Sequence, residues 1–165
     1  MKKPIAAAIA ILSLLPAAVA AHGPETHGKP GAAKPISTEE HARGRQGDPA
    51  KARRTIAIDM SDAMRYSPAE VRVKQGETVR FVVRNNGRVM HEMVIGTLAE
   101  LAAHGEMMKR FPNMEHDEPY MAHVAPGKTY EMAWTFTKAG EFHFGCLVPG
   151  HFDAGMVGKI VVAPR

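Results

Sequence analysis

"GEFHFGCLVPGHFDAGMVGKIVVA" runs from Gly140 to Ala163, and its parts carry different signals. "GEFHFGC" (Gly140 to Cys146) and "MVGKIVVA" (Met156 to Ala163) have the short, apolar-rich patterning of β-strands. Between them Cys146, His151 and Met156 stand at even five-residue intervals, and Cys146 is the only cysteine of the chain. Pro149-Gly150 supplies a sharp bend, and Gly155 can take the positive φ that swings Met156 back toward the other two. The pattern predicts two strands joined by a loop that folds a thiol, an imidazole and a thioether toward one point.

Working outward, the same strand patterning appears in "TIAIDM" from Thr55, "AEVRVKQG" (Ala69 to Gly76) and "ETVRFVVRNNG" (Glu77 to Gly87). It continues in "VMHEMVIG" (Val89 to Gly96) and "KTYEMAWTFT" (Lys128 to Thr137). Seven short strands separated by turn residues predict an all-β, antiparallel sandwich or barrel of Greek-key type. Residues 97–126 interrupt it. "TLAELAAHGEMMKRF" places Leu98, Leu101, Gly105 and Met108 at helical spacing, and Pro112 stops the run. The following "NMEHDEPYMAHVAPG" is polar and turn-rich, so the interruption reads as a short helical insertion across one end of the β-domain.

The N-terminus reads as an export signal over 1–21. Lys2 and Lys3 precede "IAAAIAILSLL" (Ile5 to Leu15), and "PAAVAA" offers small residues for cleavage after Ala20 or Ala21. The alternative, a membrane anchor, needs a longer apolar run. No later segment is long or apolar enough to span a bilayer, so a periplasmic protein is expected. Residues 22–53 are rich in Gly, Pro, Ala and Lys without hydrophobic periodicity, which predicts a disordered tether carrying His22, His27 and His41. Residues 54–165 then form one domain. The net charge of +4 is mild and falls once Lys2 and Lys3 are removed, which argues against a nucleic-acid partner. A lone thiol in an oxidising compartment is a dimer link, an accident, or a reactive or metal-bound sulfur.

A cysteine and a histidine with a distant, weak methionine describe the loop half of a type 1 copper site, and zinc is disfavoured without a second cysteine. Such a site needs a second histidine. His22, His27 and His41 fall in the tether, and His104, His116 and His123 in the insertion. His143 lies three residues before Cys146, which alternation puts on the opposite face. His91 is left. Taken singly, each ligand has an ordinary reading: Met156 as core filler, His91 as a satisfied polar residue, Cys146 as a small buried apolar group.

With these residues in view, "GETVRFVVRNNGRVMHEMVIG" from Gly76 and the C-terminal stretch resemble the cupredoxin (type 1 copper) family over roughly Thr55 to Arg165. The Cys-x4-His-x4-Met spacing is similar to that of rusticyanin, and "HEMVIG" with the Met-bearing insertion most resembles small periplasmic cupredoxins associated with copper tolerance. The resemblance implies one type 1 copper held by His91, Cys146, His151 and Met156 on a seven- or eight-stranded sandwich.

Multicopper enzymes place histidines beside the copper cysteine, whereas Cys146 is flanked by Gly145 and Leu147, and no His-x-His pair occurs. The chain is therefore expected not to be an enzyme. Two functions share the site. Copper handling would use the many methionines: the chain has 11, and "MMKRFPNMEHDEPYMAH" interleaves Met107, Met108, Met114, His116, Met121 and His123 as a candidate secondary copper set. Those methionines could equally fill a helix–sheet interface. Acidic Glu115, Asp117 and Glu118 would attract a cation or keep the loop soluble. Electron transfer would instead dock a redox protein partner on an apolar surface of Leu147, Val148, Pro149 and Phe152 around His151. Asn85 or Asn86 is the expected support for His91 or for the Cys146 loop. Copper ions are the expected ligand and a monomer the expected state.

Overall fold

The structure, a computed structural model, describes residues 35–165 apart from Asn113 and Glu115. The expected export signal and the tether as far as Lys34, with His22 and His27, lie outside the described residues. The elements are β1 (Arg45–Gln46), a 3-10 turn (Pro49–Lys51), β2 (Arg54–Ser61), β3 (Arg65–Ser67), β4 (Glu70–Lys74), β5 (Thr78–Asn85) and β6 (His91–Gly96). Then come α1 (Leu98–Arg110), β7 (Met121–Val124), β8 (Thr129–Thr135), β9 (Gly140–Gly145) and β10 (Val157–Ala163). They form two five-stranded sheets, ordered β1-β8-β5-β2-β3 and β4-β10-β9-β6-β7. The fold is an all-β sandwich with one short helix.

Alternation explains the core. In β5 the inward Val79, Phe81 and Val83 are fully buried while Arg80, Val82 and Arg84 are not, and β10 turns Ile160 and Val162 inward in the same way. Trp134, Phe136 and Phe144 fill the space between them. Gly158 lies where Phe144 crosses β10, and a Cβ there would collide with the ring. All six residues of β6 are buried, because its second face is covered by α1 through Val94, Leu101, Met108, Met121 and Leu147. The helix begins in a capping box: the Thr97 hydroxyl accepts the Glu100 amide, and the Glu100 carboxylate accepts the Thr97 amide. Leu101, Gly105 and Met108 face inward as their spacing predicts, whereas Leu98 is exposed.

Four expectations need correction. The sheets are not wholly antiparallel, since β2 pairs with β5 and β10 with β4 in parallel. β3 is a strand too short to show a pattern. The insertion ends earlier than expected, because "MAHV" forms β7 and pairs with β6, placing His91 opposite Val124. Finally, the segment up to Arg53 is not all tether. β1 pairs with β8, and Trp134 Nε1 donates to the Arg43 carbonyl at 3.0 Å. Arg43 itself is buried, with its guanidinium 4.0 Å from the Tyr120 ring centre and 2.9 Å from Glu100 Oε1. Gly44 has φ +118°, and a Cβ there would strike the Thr135 carbonyl, so the chain passes close against β8. His41 packs its ring on Tyr120. An aperiodic polar sequence carries no local sign of such long-range seats.

Candidate metal centre

Two separate elements supply the donors. His91 opens β6 after the turn that leaves β5, and Asn85 braces that turn. Its Nδ2 donates to the carbonyls of Val89 (2.8 Å) and Val124 (2.7 Å), and its Oδ1 accepts the Gly87 amide (2.9 Å). Asp62, from the turn between β2 and β3, reaches into the same turn and accepts the Arg88 amide at 2.9 Å. Gly87 makes this approach possible, since a Cβ would overlap the Asp62 carboxylate. Asp62 Oδ1 also sits 3.2 Å from His91 Nε2. The Arg88 amide foremost, working against desolvation and helped by His91, holds the Asp62 carboxyl below its usual range. With Nε2–H given to this carboxylate, the lone pair of the fully buried His91 ring is on Nδ1, and that atom has no hydrogen-bond partner among the described residues.

The loop between β9 and β10 supplies the rest. His151 donates its amide to the Val148 carbonyl at 3.0 Å, closing a turn with Pro149 and Gly150 at its centre, and Gly150 takes φ +85°. The Met156 amide donates to the His151 carbonyl (3.0 Å), and the Cys146 amide donates to the Met156 carbonyl (3.1 Å). Three donors are thereby clasped through their own backbones. Cys146 Sγ lies 3.3 Å from His151 Nδ1 and accepts the Glu92 amide at 3.3 Å. The His91 and His151 rings are 5.0 Å apart.

The donor atoms of His91, Cys146 and His151 all fall within 4.8 Å of one another. A trigonal ion about 2 Å from each donor needs donor separations of roughly 3.5 Å, so the three fit a small cation with little movement. Met156 is fully buried in the same core cluster as Cys146. Burial pushes the Cys146 thiol up to about 12, so it keeps its proton at neutral pH until a cation displaces it. Burial, and then the neighbouring His91, lowers His151 below the usual imidazole range and keeps it neutral. Two imidazoles and a thiol that ionises against a metal are a donor set for copper.

The structure redistributes the other expected residues. Asp62, not Asn85 or Asn86, supports the His91 ring; Asn85 braces the turn, and Asn86 Nδ2 donates to Asp59 at 3.2 Å. Asp62 and Glu92 carry no motif, and neither is signalled by the sequence. Of the expected apolar surface around His151, Leu147 is buried against α1, Val148 and Phe152 are half-buried, and Pro149 is exposed; Val89 and Met90, each 43 % exposed, directly precede His91. The candidate secondary set splits. Met108 and Met121 are interior, Met114 is half-buried against them, and Met107 is exposed. His116 and His123 approach each other, with ring centres 6.0 Å apart. His143 is partly buried and lies apart from the cluster.

Residues 53–163 match the family described as "Copper binding proteins, plastocyanin/azurin family". The chain belongs to this family. Among its plastocyanin/azurin-family relatives, the copper-resistant cuproprotein CopI of Rubrivivax gelatinosus is 47 % identical over 94 % of either chain. CopI of Pseudomonas aeruginosa is 36 % identical, covering 74 % of this chain and 83 % of its own. Of solved structures, auracyanin A from Chloroflexus aurantiacus, a "blue" copper protein, is 27 % identical with a TM-score of 0.54, covering 66 % of this chain and 97 % of its own. Auracyanin B, 18 % identical with a TM-score of 0.63 over 73 % of this chain and 96 % of its own, shares the cupredoxin fold.

Proposed function

We propose that this protein is an exported, periplasmic cupredoxin that holds one type 1 copper and protects the cell from excess copper by sequestering, oxidising or delivering it. The observation that carries the reading is the trigonal set of His91, Cys146 and His151, with Met156 buried in the same core cluster as Cys146, in a chain akin to proteins named for copper resistance. Export follows from the Lys2-Lys3 and "IAAAIAILSLL" pattern. Among the described residues, no helix is long and apolar enough to cross a membrane.

Copper bound there would supply one-electron redox chemistry. The residues of the chain do the rest. Asp62 fixes the His91 ring so that Nδ1 faces the other donors, and the Glu92 amide supports the developing thiolate of Cys146. The hydrogen-bonded loop keeps His151 and Met156 where they are, so little need move when the charge at the site changes. Catalysis has no place in this reading, because Cys146 lacks flanking histidines that would lead to a second copper cluster.

The second reading is a soluble electron carrier. It draws on the exposed Val89 and Met90 beside the buried His91, an apolar rim on which a redox protein could dock. One genetic experiment separates the two. Deleting the gene should lower copper tolerance while respiration stays normal, and wild type, but not Cys146→Ser, should restore tolerance. Unchanged tolerance with slowed electron flow to a cytochrome would give the case to the carrier. If the purified protein takes up Cu(II) without an intense thiolate-to-copper band, the type 1 assignment itself fails.

A further inference from the structure

Behind β6, on the side covered by α1, lies a second group of imidazoles. His104 comes from α1, His116 from the segment between α1 and β7, and His123 from β7. The His104 and His116 ring centres are 4.7 Å apart, with His123 next in line. The three are differently employed. Both nitrogens of His123 are taken: Nδ1 is 3.0 Å from Glu92 Oε1, and Nε2 is 3.0 Å from the His116 carbonyl. The Glu92 hydrogen bond raises His123 above the usual imidazole range, so the two are bound to each other rather than open to a ligand.

His104 and His116 are not so satisfied. Nε2 of each is buried and has no hydrogen-bond partner among the described residues. Leaving a buried polar atom unpaired is costly, and two on rings 4.7 Å apart call for an explanation. The His116 Nδ1–H donates to the Met114 carbonyl at 3.3 Å, which turns the ring and leaves Nε2 as the nitrogen able to present a lone pair. Burial, and then His116 itself, lowers His104 below its usual range, so its ring is neutral and offers a lone pair. The Met114 side chain lines the same shallow groove as His116, Asp117 and His123. Beneath lie Leu101, Met108 and Met121, an apolar floor that disfavours a highly charged ion.

We propose that His104 Nε2 and His116 Nε2, with the Met114 thioether completing the set, bind a second copper ion as Cu(I). Two imidazoles and a thioether are a donor set that suits a soft monovalent ion, and Asp117 on the same groove adds a negative charge that favours a cation. The site uses no donor of the His91–Cys146–His151 set and does not depend on it. It also differs from the set expected from sequence: His104 joins, Met108 and Met121 serve as packing, and His123 is a partner of Glu92.

The test is an anaerobic Cu(I) titration of the purified protein against a chromophoric Cu(I) chelator. Wild type should take two equivalents, and Cys146→Ser should keep the one bound at the imidazole pair. His104→Ala/His116→Ala should weaken that equivalent at least tenfold while the Cu(II) thiolate band stays unchanged, which also shows that the variant folds. Should the double variant fail to fold, Ag(I) titrated into Cys146→Ser and followed by NMR must shift the His104 and His116 ring resonances first. A Cys146→Ser protein that binds no copper, or a second equivalent that survives in the double variant, overturns the proposal. Loss of the thiolate band with the imidazole-bound copper intact would overturn the type 1 reading alone.

Discussion

A histidine serves a metal only when its ring is held with the correct nitrogen free, and at His91 that task belongs to Asp62. The carboxylate fixes Nε2 and two backbone amides of the same turn, so ring and turn are oriented by one charge. Support of this kind is worth about 10–100-fold in metal affinity. Asp62→Ala should lower copper affinity by that factor in a chelator competition, and Asp62→Asn should recover part of it, because an amide oxygen still accepts the backbone donors. Equal copper affinity in Asp62→Ala and wild type would mean that packing alone orients His91. Cys146 is poised by the opposite means. Its thiol is buried and raised to about 12, so the protein keeps it protonated and inert until copper arrives.

The loop from Cys146 to Met156 depends on two glycines that differ in their surroundings. Gly150 has φ +85° with open space where a Cβ would sit, whereas Gly155 has φ +86° and a Cβ there would lie 3.3 Å from Arg65 Nη1. That guanidinium donates to the Ala154 carbonyl at 2.9 Å, tying the loop to the strand after Asp62. Alanine at either position should cost on the order of 1 kcal/mol for the left-handed backbone. Gly150→Ala should stop there and keep its thiolate band. Gly155→Ala should also push Arg65 aside and shift the band, because the residue that moves next is Met156. Urea unfolding and visible spectra of the two variants check this, and identical spectra would show that Met156 is insulated from the Gly155 backbone.

Across the whole molecule, the two sheets meet at the metal end through single residues. His91 and the Cys146 loop belong to one sheet, and Asp62 arrives from a turn of the other. Tyr66 on β3 donates to the Glu92 carbonyl at 2.5 Å, a second tie between the sheets. The N-terminal segment closes the side of the sandwich: Arg43 joins Tyr120, Glu100 and, through its carbonyl, Trp134. Removing the buried guanidinium takes away an ion pair and a cation–π contact, so Arg43→Ala should lower stability by about 2 kcal/mol. Its copper band should be unchanged, since none of these contacts touches the donors. A urea midpoint equal to that of wild type would mean that this segment is not part of the cooperative unit.

The parts of this protein legible in its sequence are those that depend on near neighbours. The strands β5 and β10 follow from alternation, α1 from its spacing and stop signal, and the Cys146, His151 and Met156 donors from a loop too short to place them elsewhere. His91 could be reached by elimination because the sequence holds few histidines in strands. β1, β3 and β7 escaped, being two to four residues long, below the length at which a period can be recognised. Asp62 as the partner of His91, the amide of Glu92 on the Cys146 sulfur, the seat of Arg43 and the meeting of His104 with His116 were decided only by tertiary structure. Each joins segments 29 or more positions apart, or sets a helix against the loop that leaves it. Local pattern reports whether a residue faces inward; which distant residue it meets there is fixed when the sheets close.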